Sequence, residues 1–427
     1  MKEKNSKLVI HNIFGEGVVL ETRWDGTEAR VKFLNGLNLW LPTKWLKPIK
    51  VKENSEINLD EISSKRILES FRMGIVPHQD IELFTFGRET EINVLKNGLE
   101  NLRNGISDVC LIEGGYGSGK SHLLEYFRHL SLKEGFATTY CELHAQETPP
   151  FRPKKVYHEL VYNLHFIRDN YDYSFRDILI EATKLKIDDH CFFTPVLNRV
   201  KELDNLDSKS EVFWQWIEGE STKEYATSKF SPYRVKGGQA IPALYDFSTA
   251  ADFYCYIISG LSYIIRELKL GGLVIIIDEF EEITHIWNSE LYMRGLNFMD
   301  GLIRVSLNDE KLRKINYSMA HNQVRPTPYS YKEPYIFLVI ATTPLKDIKI
   351  SPSIKNRINL RKFGVEDFEL IFDKLLNVYK SAYRNFDIEK SLYNTILNAS
   401  IENNYLELRE FIKYAIEAFD WVRLKKF

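Results

Sequence analysis

The stretch VCLIEGGYGSGKSHLLEYF, residues 109–127, decides the fold, because an apolar run leads into GGYGSGKS and an amphipathic pattern follows at once. The apolar run predicts a β-strand, and the amphipathic pattern predicts a helix that begins near Lys120. The glycines between them allow backbone dihedrals closed to other residues, so successive N–H groups can converge on an anion. The stretch therefore predicts a strand, a phosphate-binding loop and a helix. The alternative is a chance glycine-rich turn.

The residue types in this loop suit a triphosphate bound with Mg²⁺. The N-terminus of the helix adds its dipole. Lys120 is placed to reach the β- and γ-phosphates as a point charge, and the Ser121 hydroxyl is placed to ligate magnesium. The predicted nucleotide-binding residues of this segment are Gly114, Gly115, Tyr116, Gly117, Ser118, Gly119, Lys120, Ser121 and His122.

A second motif, GGLVIIIDEFEEI at 271–283, is a continuous apolar run that ends in carboxylates, which predicts a central parallel strand. Asp278 then emerges at the carboxyl end of that strand, where open α/β sheets bind ligands, and we expect it to hold Mg²⁺ through a water. Glu279 is the candidate general base, because a carboxylate beside the γ-phosphate can polarise the attacking water. Alternatively, these carboxylates with Glu281 and Glu282 form an acidic helix N-terminus, and both interpretations can hold.

Composition limits the classes of protein that fit. A chain of 427 residues predicts two or three domains, and 44% hydrophobic with 27% charged residues is typical of a soluble globular protein. The net charge of −2 gives no global electrostatic footprint for nucleic acid, although local basic patches remain open. The four cysteines are widely spaced, the first residues, MKEKNSKLVIH, contain no long apolar core, and no apolar run elsewhere reaches about 18 residues. We expect a cytoplasmic protein without disulfides, a zinc site or membrane contact.

The first fifty residues have a different texture, with short β-rich runs between turn signals. Strands near 17–23, 28–33 and 37–41 predict a small bent barrel, and FGEGVVLE with VKFLNG resembles the SH3-like or Tudor-like modules of some nucleic-acid enzymes. Such modules bind peptides or nucleic acid, or simply dock. We expect 51–60 to be a linker. Four aromatic residues form either an exposed binding site or the core of the barrel: Phe14, Trp24, Trp40 and Trp45.

The FGRE box at 86–89 precedes a predicted helix. It resembles the GRE box that initiator-type AAA+ and signal-transduction ATPases carry beside the adenine, which would place Gly87 and Arg88 at the nucleotide. The phosphate loop follows after about 27 residues, as the family spacing demands. The alternative is a helix N-terminus capped by Thr85 or Thr90.

Between the two motifs, the sequence predicts a strand at 136–143, a polar loop at 146–155 and a helix at 247–268. The region at about 153–239 exceeds what a minimal core needs, and we interpret it as a helical insertion. It is rich in aromatic residues and includes FWQWIEGE at 213–220. These residues form either a partner surface or part of the core.

The run YIFLVIATTP at 335–344 predicts another buried strand, which ends in Thr342 and Thr343. It resembles the first sensor strand of AAA+ domains, whose polar residue sits between the two motifs and contacts the γ-phosphate or the attacking water. Downstream, Arg357 or Arg361 is either an arginine finger acting on a neighbouring subunit or part of a surface salt bridge.

The last segment is helical, and Arg409 occupies the place of the second sensor arginine in the helix that begins LELREFIKYA. A lid of this kind closes over the nucleotide and reports hydrolysis as a rotation. Initiator-type relatives usually append a DNA-binding winged helix, and we expect none here.

Three segments and the preceding barrel resemble one family: ILESFRMGIVPHQDIELFTFGRETEI, EGGYGSGKSHLLEYF and STAADFYCYIISGLSYIIRELKLGGLVIIIDEFEEI. They are similar to the ATP-binding proteins of bacteriophage-exclusion (BREX) and related methylation-linked defence systems, from about residue 8 to the lid. The resemblance implies an AAA+ ATPase, often encoded beside a helicase, that assists bacteria against phage. The choice of ATP over GTP also rests on it.

We therefore predict an α/β fold with an SH3/Tudor-like β-barrel at 1–54, an AAA+ P-loop core at 55–362 and a helical lid at 363–427. The core is expected to have a parallel sheet with helices on both faces. The cofactors are ATP and Mg²⁺, with Ser121 and Asp278 at the metal. The catalytic candidates are Glu279, Lys120, Thr342, Thr343, Arg357 and Arg409.

Two functions fit this prediction. The first is ATP hydrolysis in a homo-oligomer that remodels DNA or a partner protein in anti-phage defence. The second is a slowly hydrolysing, nucleotide-gated switch that recruits a helicase or effector. A clamp-loader or initiator role in replication is weaker, because the usual DNA-binding appendage is not expected.

Overall fold

The computed structural model describes most of the chain, namely residues 8–11, 13–33, 37–48, 60–75, 81–82, 84–85, 87–203, 208–220, 241–242, 244, 251–315, 326–344, 353–361, 363–384, 386–388, 390–402 and 408–425. The chain divides into two compact units. The first consists of Met1–Glu89, Tyr116–His122 and Arg361–Phe427, and the second of Thr90–Gly115 and Leu123–Leu360.

The N-terminal module is an antiparallel sheet of five strands in the order β4-β3-β2-β1-β5. The strands are β1 (Leu8–His11), β2 (Gly15–Arg23), β3 (Glu28–Phe33), β4 (Asn38–Pro42) and β5 (Leu46–Pro48). Alternate residues of β3 point inward, as a strand with one buried face requires. The three strands predicted from the sequence are confirmed. The sheet also includes β1 and β5, which the sequence analysis missed.

The four aromatic residues of this module divide between the two alternatives. Phe14 packs against the small apolar core, which includes the buried Val31 and Phe33. Trp24 and Trp45 are 66% and 54% exposed. The core interpretation therefore holds for Phe14, whereas Trp24 and Trp45 face solvent and Trp40 is half-buried.

The second unit is built on a parallel sheet of five strands in the order β12-β6-β11-β10-β7. These strands are β6 (Asp108–Glu113), β7 (Ala137–Glu142), β10 (Leu273–Asp278), β11 (Ile336–Thr342) and β12 (Asn356–Asn359). Every residue of β10 and β11 is buried, which is why both read as unbroken apolar runs.

Helices cover both faces of this sheet, as predicted. On one face, α2 (Glu89–Arg103) and α3 (Lys120–Lys133) bury apolar side chains against alternate strand residues such as Val274 and Ile276. On the other face, α4 (Pro153–Tyr162), α8 (Ala251–Glu267) and α9 (Ser289–Ser306) do the same against Leu273, Ile275 and Ile277. The period of two along each strand divides the core into these two layers. The predicted α/β fold class is confirmed.

The region interpreted as a helical insertion is not wholly helical. After α4 come a two-stranded hairpin, β8 (Phe166–Arg168) with β9 (Tyr171–Tyr173), and then α5 (Phe175–Ala182), α6 (Phe193–Val200) and α7 (Ser208–Ile217). The predicted polar loop at 146–155 ends earlier than expected, because α4 begins at Pro153. The aromatic residues of FWQWIEGE favour the core interpretation, since three of them are buried in the main cluster: Phe213, Trp214 and Trp216.

A separate apolar cluster joins the C-terminal helices to α1 (Glu61–Arg72). The C-terminal helices, which we call the lid, are α10 (Val365–Ala382), α11 (Lys390–Glu402) and α12 (Leu408–Lys425). Arg72 on α1 forms a salt bridge with Asp420 on α12 at 2.9 Å. Of the predicted linker, 51–59 lies outside the described residues and Asp60 is the N-cap of α1.

None of the helices in the described ranges combines the length and apolar character needed to cross a bilayer.

Candidate nucleotide-binding site

The predicted phosphate loop occupies the connection between β6 and α3. Its first residue, Gly114, donates its N–H to the Thr342 carbonyl oxygen at 3.1 Å, so the start of the loop is tied to β11. Gly117 and Gly119 have φ values of 71° and 87°, which favour glycine. Lys120 begins α3 and is 7% exposed. The strand, loop and helix predicted from the sequence are all present.

Asp278 is the last residue of β10 and is 1% exposed. Its Oδ1 accepts the Glu279 N–H at 2.8 Å, and its Oδ2 accepts the Tyr140 hydroxyl at 3.0 Å. These two hydrogen bonds fix the orientation of the carboxylate. Sequence reasoning missed Tyr140, because its contact with Asp278 depends on how β7 and β10 are aligned.

A second carboxylate lies beside Asp278. The parallel register pairs Asp278 with Glu142, so both side chains point to the same face of the sheet. Partial burial, and then the charge of Asp278, raise the pKa of Glu142. This edge of the sheet therefore carries concentrated negative charge that a cation would relieve.

Glu279 has φ 53° and ψ 42°, a left-handed conformation, and it immediately precedes a 3-10 helix (Phe280–His285). Glu282 of this helix accepts the Ala145 N–H at 3.2 Å, and its other oxygen lies 2.9 Å from His285 Nδ1. The acidic start of a helix, which was the alternative interpretation, is thus also present, although the helix is a short 3-10 helix. Glu282 is engaged in structural contacts.

The alternation along the strands shows which face the candidate residues occupy. Asp278 follows Val274 and Ile276 in steps of two, so it points to the face on which Leu123 and Phe127 of α3 pack. Ser121 lies two residues before Leu123 on α3 and is exposed. The sheet thus directs Asp278 towards the layer that contains α3.

The two sensor candidates differ in their surroundings. Thr342 lies two residues after Ile340 on β11, so its side chain points to the same face as Ile340, opposite to the face of Asp278. Thr342 is fully buried. Its hydroxyl donates to the Thr343 carbonyl oxygen at 2.9 Å. Thr343 follows the end of β11 and is half-buried.

Arg88 of the FGRE box is 3% exposed and is bonded to the chain itself. Its Nη2 donates to the Ser118 carbonyl oxygen at 2.7 Å, and its Nη1 donates to the Arg361 carbonyl oxygen at 2.9 Å. The guanidinium also stacks on Phe363, 4.3 Å from the ring centre. The box therefore contacts the phosphate loop directly.

The helix-cap alternative for this box is wrong for both threonines. The Thr85 hydroxyl donates to the Ile81 carbonyl oxygen at 2.8 Å, one turn back, and Thr90 is the second residue of α2. Neither residue holds the position that precedes the helix. Phe86, the first residue of the box, lies outside the described residues.

His122, near the start of α3, is uncharged at neutral pH. Desolvation, together with the nearby charge of Arg88, lowers the pKa of His122 to about 4. Its Nε2 lies 2.9 Å from the Thr85 hydroxyl oxygen. His122 therefore brings no positive charge to a phosphate at pH 7.

The candidate finger arginines both take part in ion pairs, which was the alternative for them. Arg357 on β12 lies 3.6 Å from Glu113, and its side chain is 39% exposed. Arg361 forms a two-pronged ion pair with Asp367 on α10. The second sensor candidate, Arg409 on α12, is exposed, with its stem beside Gly74.

The donor set fits magnesium bound together with a nucleotide. Within the ranges that the structure describes, no group of three or more His, Cys, Asp or Glu side chains forms a ready metal site. Magnesium in nucleotide sites usually needs only one or two protein carboxylates, since phosphates and waters supply the other ligands. Taken separately, the fixed carboxylate of Asp278 and the exposed hydroxyl of Ser121 are each a donor of the kind that magnesium uses.

Comparison with solved structures finds remote neighbours. The structure of Drosophila ORC bound to DNA matches with a TM-score of 0.36 and 8% identity, over 89% of this chain and 66% of that chain. AMPPCP-bound DnaA from Aquifex aeolicus matches with a TM-score of 0.30 and 12% identity, over 80% and 62%. The chain thus spans slightly under two thirds of the length of these proteins. No curated protein matches the sequence.

A family model gives the informative match. The model described as BREX system ATP-binding protein BrxC/D matches residues 60–184. That segment holds α1, the FGRE box, the phosphate loop and β7. The similarity to the ATP-binding proteins of BREX defence systems, inferred above from the sequence, is therefore confirmed over residues 60–184.

Proposed function

We propose that this chain binds ATP with Mg²⁺ and hydrolyses it. The observation that carries the proposal is the phosphate loop between β6 and α3, with the buried carboxylate of Asp278 two strands away in the same parallel sheet. Asp278 points to the face on which α3 packs. Because the carboxyl ends of parallel strands lie at one edge, this topology suits a triphosphate and a metal ion.

The proposed roles follow the chemistry of each group. Backbone N–H groups of the phosphate loop, residues 114–122, bind the phosphates, and Lys120 neutralises their charge. Ser121 and Asp278 hold the metal ion, which balances the charge that develops on the transferring phosphoryl group. Glu279 activates the attacking water. We assign supporting roles at the γ-phosphate to Thr343, Arg357 and Arg409, and roles through the phosphate loop to Gly87 and Arg88. Thr342, proposed from the sequence as a catalytic residue, is fully buried with its hydroxyl donated to the Thr343 carbonyl oxygen, so we assign it the positioning of Thr343.

We propose that the activity serves anti-phage defence, as the description of the matching family suggests. The protein would act in the cytoplasm as a homo-oligomer, with a helicase or another defence protein as partner and DNA as a further candidate. The energy of hydrolysis would remodel DNA or a partner protein. We keep the three-part organisation of barrel (1–54), core (55–362) and lid (363–427) as part of this proposal.

The deciding experiment is steady-state ATP turnover of the wild type and Glu279→Gln, with and without double-stranded DNA. The molecular mass in solution is measured in parallel with ATP bound. A matched control is Glu290→Gln, which removes an exposed carboxylate at the start of α9. We expect turnover in the wild type and the control, its loss in Glu279→Gln, and a larger assembly with ATP.

The same data separate the second function from the first. Tight ATP binding with negligible turnover in all three proteins would contradict the hydrolytic motor and leave the nucleotide-gated switch. Absence of ATP binding in the wild type would overturn both.

A further inference from the structure

Two arginines interlock beside the phosphate loop. The Arg88 side chain donates to the carbonyl oxygen of Arg361 at 2.9 Å, and the Arg361 side chain donates to the carbonyl oxygen of Gly87 at 2.9 Å. The Arg88 guanidinium therefore holds the backbone of Arg361 itself, and the Arg361 guanidinium holds the backbone of the residue before Arg88. A planar guanidinium with five fixed donors suits this arrangement better than an ammonium group does.

The other terminal nitrogen of Arg88 forms a hydrogen bond with the phosphate loop itself. Its Nη2 donates to the Ser118 carbonyl oxygen at 2.7 Å. The Ser118–Gly119 peptide is planar and trans, so the N–H of Gly119 points away from the side on which that carbonyl is held. By fixing the carbonyl, Arg88 also fixes the direction of the Gly119 N–H, one of the amides that the loop can offer to a phosphate.

Burial makes this arrangement rigid. Arg88 is 3% exposed and its guanidinium lies over the Phe363 ring. A buried cation is tolerated only where hydrogen bonds satisfy it, so moving Arg88 away from these carbonyls would be costly. Gly119 itself has φ 87°, a backbone conformation that favours glycine.

Arg361 extends the connection to the first helix of the lid. Its guanidinium pairs with both oxygens of Asp367, and Asp367 accepts the N–H of Gly364, the residue that precedes α10, at 2.7 Å. Gly87 has φ 66°, and a Cβ there would lie 2.3 Å from Asp367 Oδ1. Only glycine therefore lets the FGRE segment approach the helix start this closely.

We propose that Arg88 and Arg361 are positioning residues that hold the Gly119 amide towards the phosphates and join the phosphate loop to α10. Arg88 thus acts on the triphosphate through the loop and does not touch the adenine. This inference rests on the proposed function, since it specifies how the same nucleotide site is set. It also assigns Arg361 a task within its own chain, leaving Arg357 as the finger candidate.

The test compares two ligands that share phosphates but not a base. Dissociation constants for AMPPCP and for inorganic tripolyphosphate, each with Mg²⁺, are measured by calorimetry on the wild type and Arg88→Met. Methionine keeps an unbranched side chain over Phe363 but removes the hydrogen bonds to the carbonyls. Loss of a charge-assisted hydrogen bond weakens binding about tenfold or more. We expect both ligands to weaken by the same factor.

Arg103→Met is the matched control. Arg103 also lies over a phenylalanine, 5.0 Å from the Phe136 ring, and also donates to a backbone carbonyl, that of Glu134. We expect it to leave both dissociation constants unchanged. If Arg88→Met weakens AMPPCP but not tripolyphosphate, Arg88 acts on the base and the inference is wrong. It is equally wrong if neither affinity changes.

Further variants keep the test decisive. Should circular dichroism show that Arg88→Met does not fold, Arg88→Lys replaces it. Lysine keeps the charge but cannot bridge both carbonyls in one plane, so it should raise the dissociation constants of both ligands by the same factor.

For the connection to α10, we expect Arg361→Met to raise both dissociation constants. The double variant should raise each constant by no more than the product of the two single-variant factors. Unchanged affinities in Arg361→Met would overturn the coupling. A wild type that binds neither ligand would refute the proposed function instead.

Discussion

At the scale of single residues, the unusual backbone of the candidate site is at Glu279. A residue with a Cβ in the left-handed region is less stable by about 1–2 kcal/mol than in the right-handed one. Glu279 adopts this conformation (φ 53°) directly after β10. It lets the chain turn from the strand into the 3-10 helix while its N–H holds Asp278. Strain of this kind, kept beside a fixed carboxylate, is typical of functional sites.

Replacing Glu279 therefore separates stability from activity. Glu279→Gly relieves the strain, whereas Glu279→Gln keeps it, so we expect the glycine variant to be more stable than the glutamine variant by about 1 kcal/mol. Both should lose ATP turnover. Chemical denaturation gives the stability difference and a phosphate-release assay gives the activity. A glycine variant less stable than the glutamine variant would show that position 279 is not strained.

Some residues of the site could be predicted from the sequence and others could not. Lys120 and Asp278 were predicted because each ends or begins an element with a strong pattern of its own. Tyr140 was not, because its hydrogen bond to Asp278 depends on the register of two strands far apart in the chain. The contact of Arg88 with Ser118 involves a main-chain carbonyl, and no side-chain pattern marks which carbonyl a guanidinium will reach.

At the scale of elements, α10 carries a half-buried acidic face. Glu366, Glu369 and Asp373 follow one another at spacings of three and four, so they share one side of the helix. Burial, then the charges of Asp373 and Glu366, raise the pKa of Glu369 to about 7. Tyr393 of α11 donates its hydroxyl to Asp373 at 2.7 Å. Below about pH 7, the neutral form of Glu369 is therefore favoured in the folded state.

This raised pKa predicts how stability changes with pH. Between the ordinary value of 4.5 and about 7, folded Glu369 holds a proton that the unfolded chain releases, so its contribution to stability falls as pH rises through this window. Glu369→Gln imitates the neutral acid. We expect it to match the wild type at pH 4 and to be more stable at pH 8 by about 1 kcal/mol, a value reduced for solvent screening.

The free energy of unfolding at several pH values provides the measurement. Glu410→Gln is the control, because Glu410 is an exposed carboxylate on α12 of the same lid. A stability difference between Glu369→Gln and the wild type that stays constant from pH 4 to 8 would contradict the raised pKa of Glu369.

Elements differ in how well the sequence predicted them. The buried parallel strands β6, β10 and β11 are long apolar runs, and each was predicted close to its observed bounds. The hairpin of β8 and β9 was missed because each strand has only three residues. Strands this short do not show the alternation of apolar and polar residues that identifies a strand in a sequence. The turn between them has positive φ at Asp169 and Asn170.

At the scale of the whole molecule, the hydrophobic patterns of the sequence do not predict the order of the strands in the sheet. Pairing between β6 and β11 joins residues more than two hundred positions apart, and no local propensity encodes it. The resemblance to AAA+ proteins implied a polar residue between the two motifs at the end of the run 335–344, and the strand formed by this run, β11, pairs with both β6 and β10. The arrangement within 153–239 had no such guide, and the region interpreted as a helical insertion also contains the hairpin of β8 and β9.

Nucleotide binding should change the stability of the whole chain. A ligand that binds only the folded state stabilises it by about 2.7 kcal/mol at one hundred times its dissociation constant. For 427 residues this corresponds to a rise in unfolding temperature of about 3 °C. We expect that rise with ATP and Mg²⁺ in the wild type and in Glu279→Gln, since water activation is not needed for binding. Lys120→Ala should show none, because it removes the cation at the phosphates, and scanning calorimetry gives all three values. An equal rise in Lys120→Ala would mean that ATP binds away from the phosphate loop, and the assignment of residues 114–122 would then be wrong.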